Sequence, residues 1–346
     1  MLRAGITRGV LGLALSVPAA AGALSADPDL YEVPRREVSW QELCEVFDPR
    51  WILPAPPESA RDIDMVRQAK ALATERWSDE GSMALRSAGD LVAACRTQGS
   101  RGRLKLLARL RDEQPEAWSR WGDLLTGMLL DSQLTADGWD GDKDRSEDGL
   151  VMGESWTLPK GGKAPWRDLK GSRKVHQAMA VVFADLTALK QAENDYSTYP
   201  GYANAEYESI FPVSGTHVIA APGEGLAEQV ALQIEFCVDL PFPFSTNTCR
   251  LRILNRLDDD DHLVTDVAST SSDYLWLAGR DVFVPLRTSD DEPAGLLAVR
   301  WFGFDVDDIP DGDSDRKANL RAGLGRLKRR AEEAQTSHRD GHHDQT

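Results

Sequence analysis

The side chains of this 346-residue chain that could do chemistry are few and far apart. Arg300 stands inside an apolar stretch between Val299 and Trp301. Facing inward, it would pair with a carboxylate such as Glu235 or take an anionic head group, because a buried guanidinium needs a partner. Facing outward, it is one more cation on a solvated face. His176, His217 and His262 are scattered, and none lies at metal-ligand spacing from another His, a Cys or paired carboxylates. Asp140, Asp142 and Asp144 resemble the start of a calcium loop, but Arg145 occupies the Gly position and Val151 that of the bidentate Glu. That stretch reads as an acidic solvated turn. Gly153-Glu154-Ser155 lacks the second Gly of a nucleophile elbow. Gly161-Gly162-Lys163 lacks the upstream Gly and the following Ser or Thr of a phosphate-binding loop. On this reading no catalytic residue, no metal and no cofactor is assigned, although acid and base groups can converge from distant positions.

The bulk composition narrows the partners. With 56 Asp+Glu against 40 Lys+Arg, the net charge of −16 argues against nucleic acid, whose phosphates want a basic face. Residues 1–23 read as a secretory signal peptide: Arg3 and Arg8, an apolar run from Val10 to Ala21, then Ala21-Gly22-Ala23 as a small-x-small cleavage site. The run is short for a bilayer span, and no later stretch is long and apolar enough to be one. The expectation is a soluble, exported (periplasmic or secreted) chain with no transmembrane segment once the signal is cut. Export favours disulfides. Proximity in sequence suggests Cys44–Cys95 and Cys237–Cys249. Strand alternation puts Cys237 and Cys249 on opposite faces unless a bulge intervenes, and buried free thiols are the alternative.

Residues 24–35 read as an extended leader and 36–134 as a helical region. Ile63, Val66, Ala69, Ala73 and Trp77 repeat near helical spacing over 61–77, and Leu85, Ala88, Leu91, Val92 and Cys95 continue over 83–95. Leu104, Leu106, Leu107 and Leu110 mark a third helix, and Pro115 opens a fourth. Residues 135–170 read as a linker. Strands follow at about 173–182, 206–220, 226–240, 248–257, 262–273, 279–287 and 295–304, with a short helix over 183–194. The last helix, about 314–333, carries Leu320, Leu324, Leu327, Ala331 and Ala334 in one stripe. Residues 336–346 read as a disordered polar tail containing His338, His342 and His343. The predicted fold class is α+β: a curved antiparallel sheet wrapped around a long C-terminal helix, preceded by an all-α segment.

Three local signatures, in order, carry a family resemblance. Asp195-Tyr196-Ser197-Thr198-Tyr199-Pro200 is the first, and Pro241-Phe242-Pro243 before a strand with Arg250 and Arg252 is the second. The third is Leu297 to Asp305, then Ile309-Pro310 and the final helix. Residues 171–335 thereby resemble the START/polyketide-cyclase-like superfamily (SRPBCC, helix-grip). The third signature departs from the family pattern, since its middle Gly is absent.

The resemblance implies a pocket for a hydrophobic small molecule or lipid under the C-terminal helix. Its candidate lining is Tyr199, Tyr202, Ile234, Phe236, Val284, Arg300, Trp301, Leu320, Leu324 and Leu327; the alternative is that these residues fill a core. The same pocket in an enzyme of cyclase or hydrolase type would need converging polar groups. Eight of the ten Trp precede residue 170. They either pack the helices or offer a protein-contact surface, and in the second case the chain is an interaction module.

Overall fold

The computed structural model describes residues 35–37, 52–78, 85–130, 149–160, 173–194, 210–221, 229–238, 247–257, 262–269, 274–306 and 313–343. Between 210 and 257 the description is of backbone and register. The leading part is helical: a 3-10 turn (Glu58–Ile63), α1 (Met65–Thr74), α2 (Ala88–Arg96), α3 (Ser100–Glu113) and α4 (Pro115–Leu129). Capping sets the starts. The Asp64 carboxylate accepts from Val66 N–H at 3.1 Å, so α1 begins at Met65 and not at Arg61. Ser87 Oγ accepts from Asp90 N–H at 3.2 Å while Asp90 accepts from Arg86 N–H at 2.8 Å, a reciprocal cap that opens α2 at Ala88.

The rest builds one sheet. Its strands are β1 (Arg35–Glu37), β2 (Leu150–Met152), β3 (Trp156–Thr157), β4 (Lys174–Val182), β5 (Ile210–Ala221), β6 (Gln229–Val238), β7 (Asn247–Leu257), β8 (Leu263–Ser269), β9 (Tyr274–Arg287) and β10 (Pro293–Val306). The spatial order is β1-β5-β6-β7-β8-β9-β10-β4-β2, with β3 also pairing β4. Every pairing is antiparallel except β1 with β5. The sheet is open and curved, and register shifts at Pro293/Gly295 and within β5 are the kind of irregularity that bends it. Helix α5 (Leu186–Asn194) follows β4, and α6 (Asp313–His343) closes the chain. The architecture is α+β, with a long C-terminal helix against a curved antiparallel sheet.

Three boundaries differ from the sequence reading. The leader and the start of the helical region supply β1, because Arg35, Arg36 and Glu37 pair along Val218, Ile219 and Ala220. The stretch read as a linker contributes β2 and β3, segments too short for periodicity to reveal. Helix α6 continues through the polar tail to His343, since nothing after Glu333 breaks a helix before Gly341.

Two cores lie on opposite faces of the sheet. The outer one joins Leu72, Leu91, Leu110 and Leu125 of α1–α4 to Met179, Val282, Val284, Leu297, Val299 and Trp301. The inner one joins Leu320, Leu324, Leu327 and Ala331 of α6 to Ala178, Ala180, Phe283, Leu296 and Ala298. The helical region is therefore a covering layer on the sheet. Because both faces are covered, β4 is buried along nearly its whole length. The approach is close at Gly89 of α2, where a Cβ would stand 1.9 Å from Arg287 O, so only glycine fits. Among the described residues, no helix is long and apolar enough to cross a membrane.

Candidate functional site

Alternation along β9 and β10 assigns the inner face. Leu296, Ala298, Arg300 and Phe302 point one way and Leu297, Val299 and Trp301 the other. Arg300 is thus an inward residue. Its partner is Asp281, directly opposite in the β9–β10 register. Arg300 Nε donates to Asp281 Oδ1 at 2.6 Å and Nη2 to Oδ2 at 2.5 Å, a two-pronged ion pair. Asp281 is buried and Arg300 is largely so. The pair sits under α6 at Gly323, where a Cβ would stand 2.6 Å from Arg300 Nη1. The side chain of Glu235, the carboxylate expected from sequence, lies outside the described residues.

Small residues let α6 come down on the sheet: Ala178 and Ala180 on β4 and Ala298 on β10 meet Leu320, Leu324 and Leu327. Polar contacts pin the helix along its length. Arg316 Nε donates to Phe304 O at 3.0 Å near its start. Towards its end, Lys328 Nζ donates to Val181 O at 2.7 Å and to Glu332 Oε1 at 2.8 Å. Glu332 accepts from Phe183 N–H at 3.0 Å and Gln335 from Asp185 N–H at 2.8 Å. Burial pushes the Lys328 ammonium below its ordinary pKa, against the raising effect of Glu332.

A second polar constellation stands where β2, β3 and β4 meet. Ser155 Oγ lies 2.5 Å from Nδ1 of the buried His176. His176 is opposite Phe302 and in the inward set of β4. Gln177, on the outer face, ties the loop that carries Ser155. Its Nε2 donates to Glu154 O at 3.0 Å and also to Ile63 O, and its Oε1 accepts from Met65 N–H at 3.2 Å.

The lining expected from sequence separates into groups. Leu320, Leu324, Leu327 and Arg300 come together beneath α6. Val284 and Trp301 do not; they face the N-terminal helices, because β9 and β10 are apolar on both sides and alternation alone does not name the inner one. Trp301 packs edge-on against Trp156, with ring centroids 5.4 Å apart. Tyr199 and Tyr202 lie outside the described residues, as do the side chains of Ile234 and Phe236. The same holds for the three-Asp turn and for Cys44.

Cys95 is a free, buried thiol, pushed up to about 11 by desolvation, so the expected bridge to Cys44 is not formed. Cys237 pairs in register with Thr248 and Cys249 with Phe236, an offset of one with no bulge to correct it. Trp77, Trp121 and Trp156 are buried in the outer core.

Asp281 is the site residue that the sequence reading missed. Its signal was an acid among apolar residues, in the stretch Val282 to Leu286 and its approach.

No protein-family model matches the chain, and no curated protein matches it in sequence. Among solved structures it is similar to a STAR-related lipid transfer protein (fragment 25–204) from Xanthomonas axonopodis. That match has 11% identity and a TM-score of 0.33, and covers 57% of this chain and 96% of that one. It is similar to human STARD10 at 8% identity, TM-score 0.33, over 52% of this chain and 69% of that one. It is also similar to Ara h 8.0201 at 10% identity, TM-score 0.29, over 47% and 97%.

Proposed function

We propose that the protein is exported and holds a hydrophobic small molecule or lipid between α6 and the inner face of the sheet. The observation that carries this reading is the Asp281–Arg300 pair beneath Gly323. A buried ion pair adds little stability over apolar residues of the same volume, because desolvation offsets the attraction. Its place beneath the leucines of α6 suits a polar anchor: a guanidinium carries five N–H donors, of which Asp281 takes two, and donors of that kind suit a phosphate, carboxylate or hydroxyl at one end of a ligand. The apolar part would shed its hydration among the leucines of α6 and the strands beyond. The small-x-small site at Ala21-Gly22-Ala23 supports export.

Native mass spectrometry of the secreted or periplasmic protein tests both parts. The expected result is a chain that starts at Leu24 and carries a bound small molecule. A fluorescent lipid should then bind saturably, with Arg300→Met weakening it about tenfold or more, the effect of losing one charge-assisted contact. A protein that co-purifies with nothing and gives no saturable isotherm overturns the binding reading.

A further inference from the structure

We propose that Ser155 and His176 form a catalytic dyad that cleaves the carboxylic ester of an acylated hydrophobic ligand held beneath α6. The inference rests on the ligand-binding reading for its substrate class and on separate residues for its chemistry.

The geometry is that of a nucleophile beside its base. Ser155 Oγ is 2.5 Å from His176 Nδ1, within reach for proton transfer. The imidazole is buried, while Ser155 is only half-buried and stays reachable. The backbone on both sides of Ser155 is tied down. Gly153 N–H donates to Gln177 O at 2.8 Å, Gln177 Nε2 holds Glu154 O, and Trp156 pairs with Val175. Gly153 permits this approach, since a Cβ there would stand 2.5 Å from Gln177 Cγ. A hydroxyl held from both sides loses little freedom on reaching a transition state.

The dyad also faces the right way. His176 shares the inward set of β4 with Ala178, and Ala178 is opposite Arg300. Two residues along a strand is about 7 Å. A ligand whose polar end rests on Arg300 therefore places a bond a few atoms further along beside His176 and Ser155. The local sequence does not announce this, because Gly153-Glu154-Ser155 lacks the second Gly of the strand-to-helix nucleophile turn. Here the serine is placed by a strand-edge loop.

The chemistry balances with water as co-reactant. With its proton on Nε2, His176 takes the Ser155 hydroxyl proton at Nδ1. Ser155 Oγ bonds to the ester carbonyl carbon, the carbon–oxygen bond to the alcohol breaks, and the imidazolium gives its proton to the departing alkoxide. Water then attacks the acyl-serine with His176 again as base, releasing the carboxylic acid and restoring the hydroxyl.

The test uses the full exported chain and p-nitrophenyl esters of medium and long acyl chains. The expected result is a burst of p-nitrophenolate, a mass increase of one acyl group on the peptide containing Ser155, and labelling of that peptide by a fluorophosphonate. Ser155→Ala should abolish burst and adduct. His176→Gln, which keeps a polar side chain, should slow acylation by about 10²–10⁴-fold. Both variants should bind a fluorescent lipid as the parent does, which shows that they are folded. Saturable lipid binding with no adduct on Ser155 in the parent protein overturns the dyad and leaves the binding reading standing. An adduct on Ser155 without saturable lipid binding supports the dyad and overturns the binding reading.

Discussion

The two faces of the sheet are built to different rules. The outer face meets α1, α2 and α4 through large side chains, and its closest approach, at Gly89, leaves no room for even a methyl group. Its tethers reach far along the chain: Asp90 of α2 accepts from Ser289 N–H at 2.8 Å and from Ser289 Oγ at 3.1 Å, across 199 residues. The inner face meets the long helix α6, with α5 packed beside it, through alanines, and keeps an ion pair beneath α6. Close packing of large apolar groups is what stability asks for. A charge pair under a helix that rests on small residues is a poor way to gain stability and a good way to keep a polar contact available. The outer face keeps a buried pair of its own, Asp266–Arg280, so the contrast lies in the packing, and on the proposed reading the outer face holds the fold together while the inner one meets the ligand.

Three substitutions test that division. The largest effect is expected from Trp301→Ala, which empties the outer core beside Trp156. It should cost about 3–5 kcal/mol in urea unfolding while leaving lipid affinity in the folded protein unchanged, and a parallel loss of affinity would break the division. Next, Asp281→Leu alone should cost about 3–5 kcal/mol, because it removes the carboxylate that holds the buried Arg300 guanidinium, whereas Asp281→Leu with Arg300→Met should return stability to near the parent value. The double variant should still bind lipid weakly, which separates stability from recognition at a single site.

The smallest effect concerns Lys328. Its folded pKa is lowered, chiefly by burial, so the unfolded chain holds that proton more firmly. The stability linked to it is present above the ordinary lysine pKa and is lost as pH falls through the lowered value. As pH rises from the lowered value towards the ordinary lysine pKa of 10.5, the stability difference between the parent and Lys328→Met should therefore move in the parent's favour. A flat difference would mean that Glu332 and Val181 O fully offset the burial of the charge.

Much of this plan is legible in the residues. The strand succession, the short helix after β4, the stripe Leu320, Leu324, Leu327 and Ala331, and Pro115 at a helix start follow from alternation, periodicity and capping. The choice of face is not legible. Val282, Phe283 and Val284 are all apolar because layers cover both sides, so Val284 and Trp301 cannot be distinguished from inward residues by pattern. The inward setting of Arg300 shows only once register brings Asp281 opposite it. Ser155 and His176 are 21 residues apart, with the two-residue β3 between them, so no local motif announces their meeting.

The pins that hold α6 also set the order in which the molecule can be finished. Lys328, Glu332 and Gln335 reach partners 147, 149 and 150 residues earlier in the chain. Those partners lie on β4 or just after it, so docking of the far end of this helix waits on the pairing of β4 with β10. Until it docks, the alanine floor of β4 and β10 and the charge pair on it stand open to water. Completion of the fold and capture of an apolar passenger then compete for the same surface at the same moment, so a ligand supplied during refolding should speed the last step as well as stabilise the product.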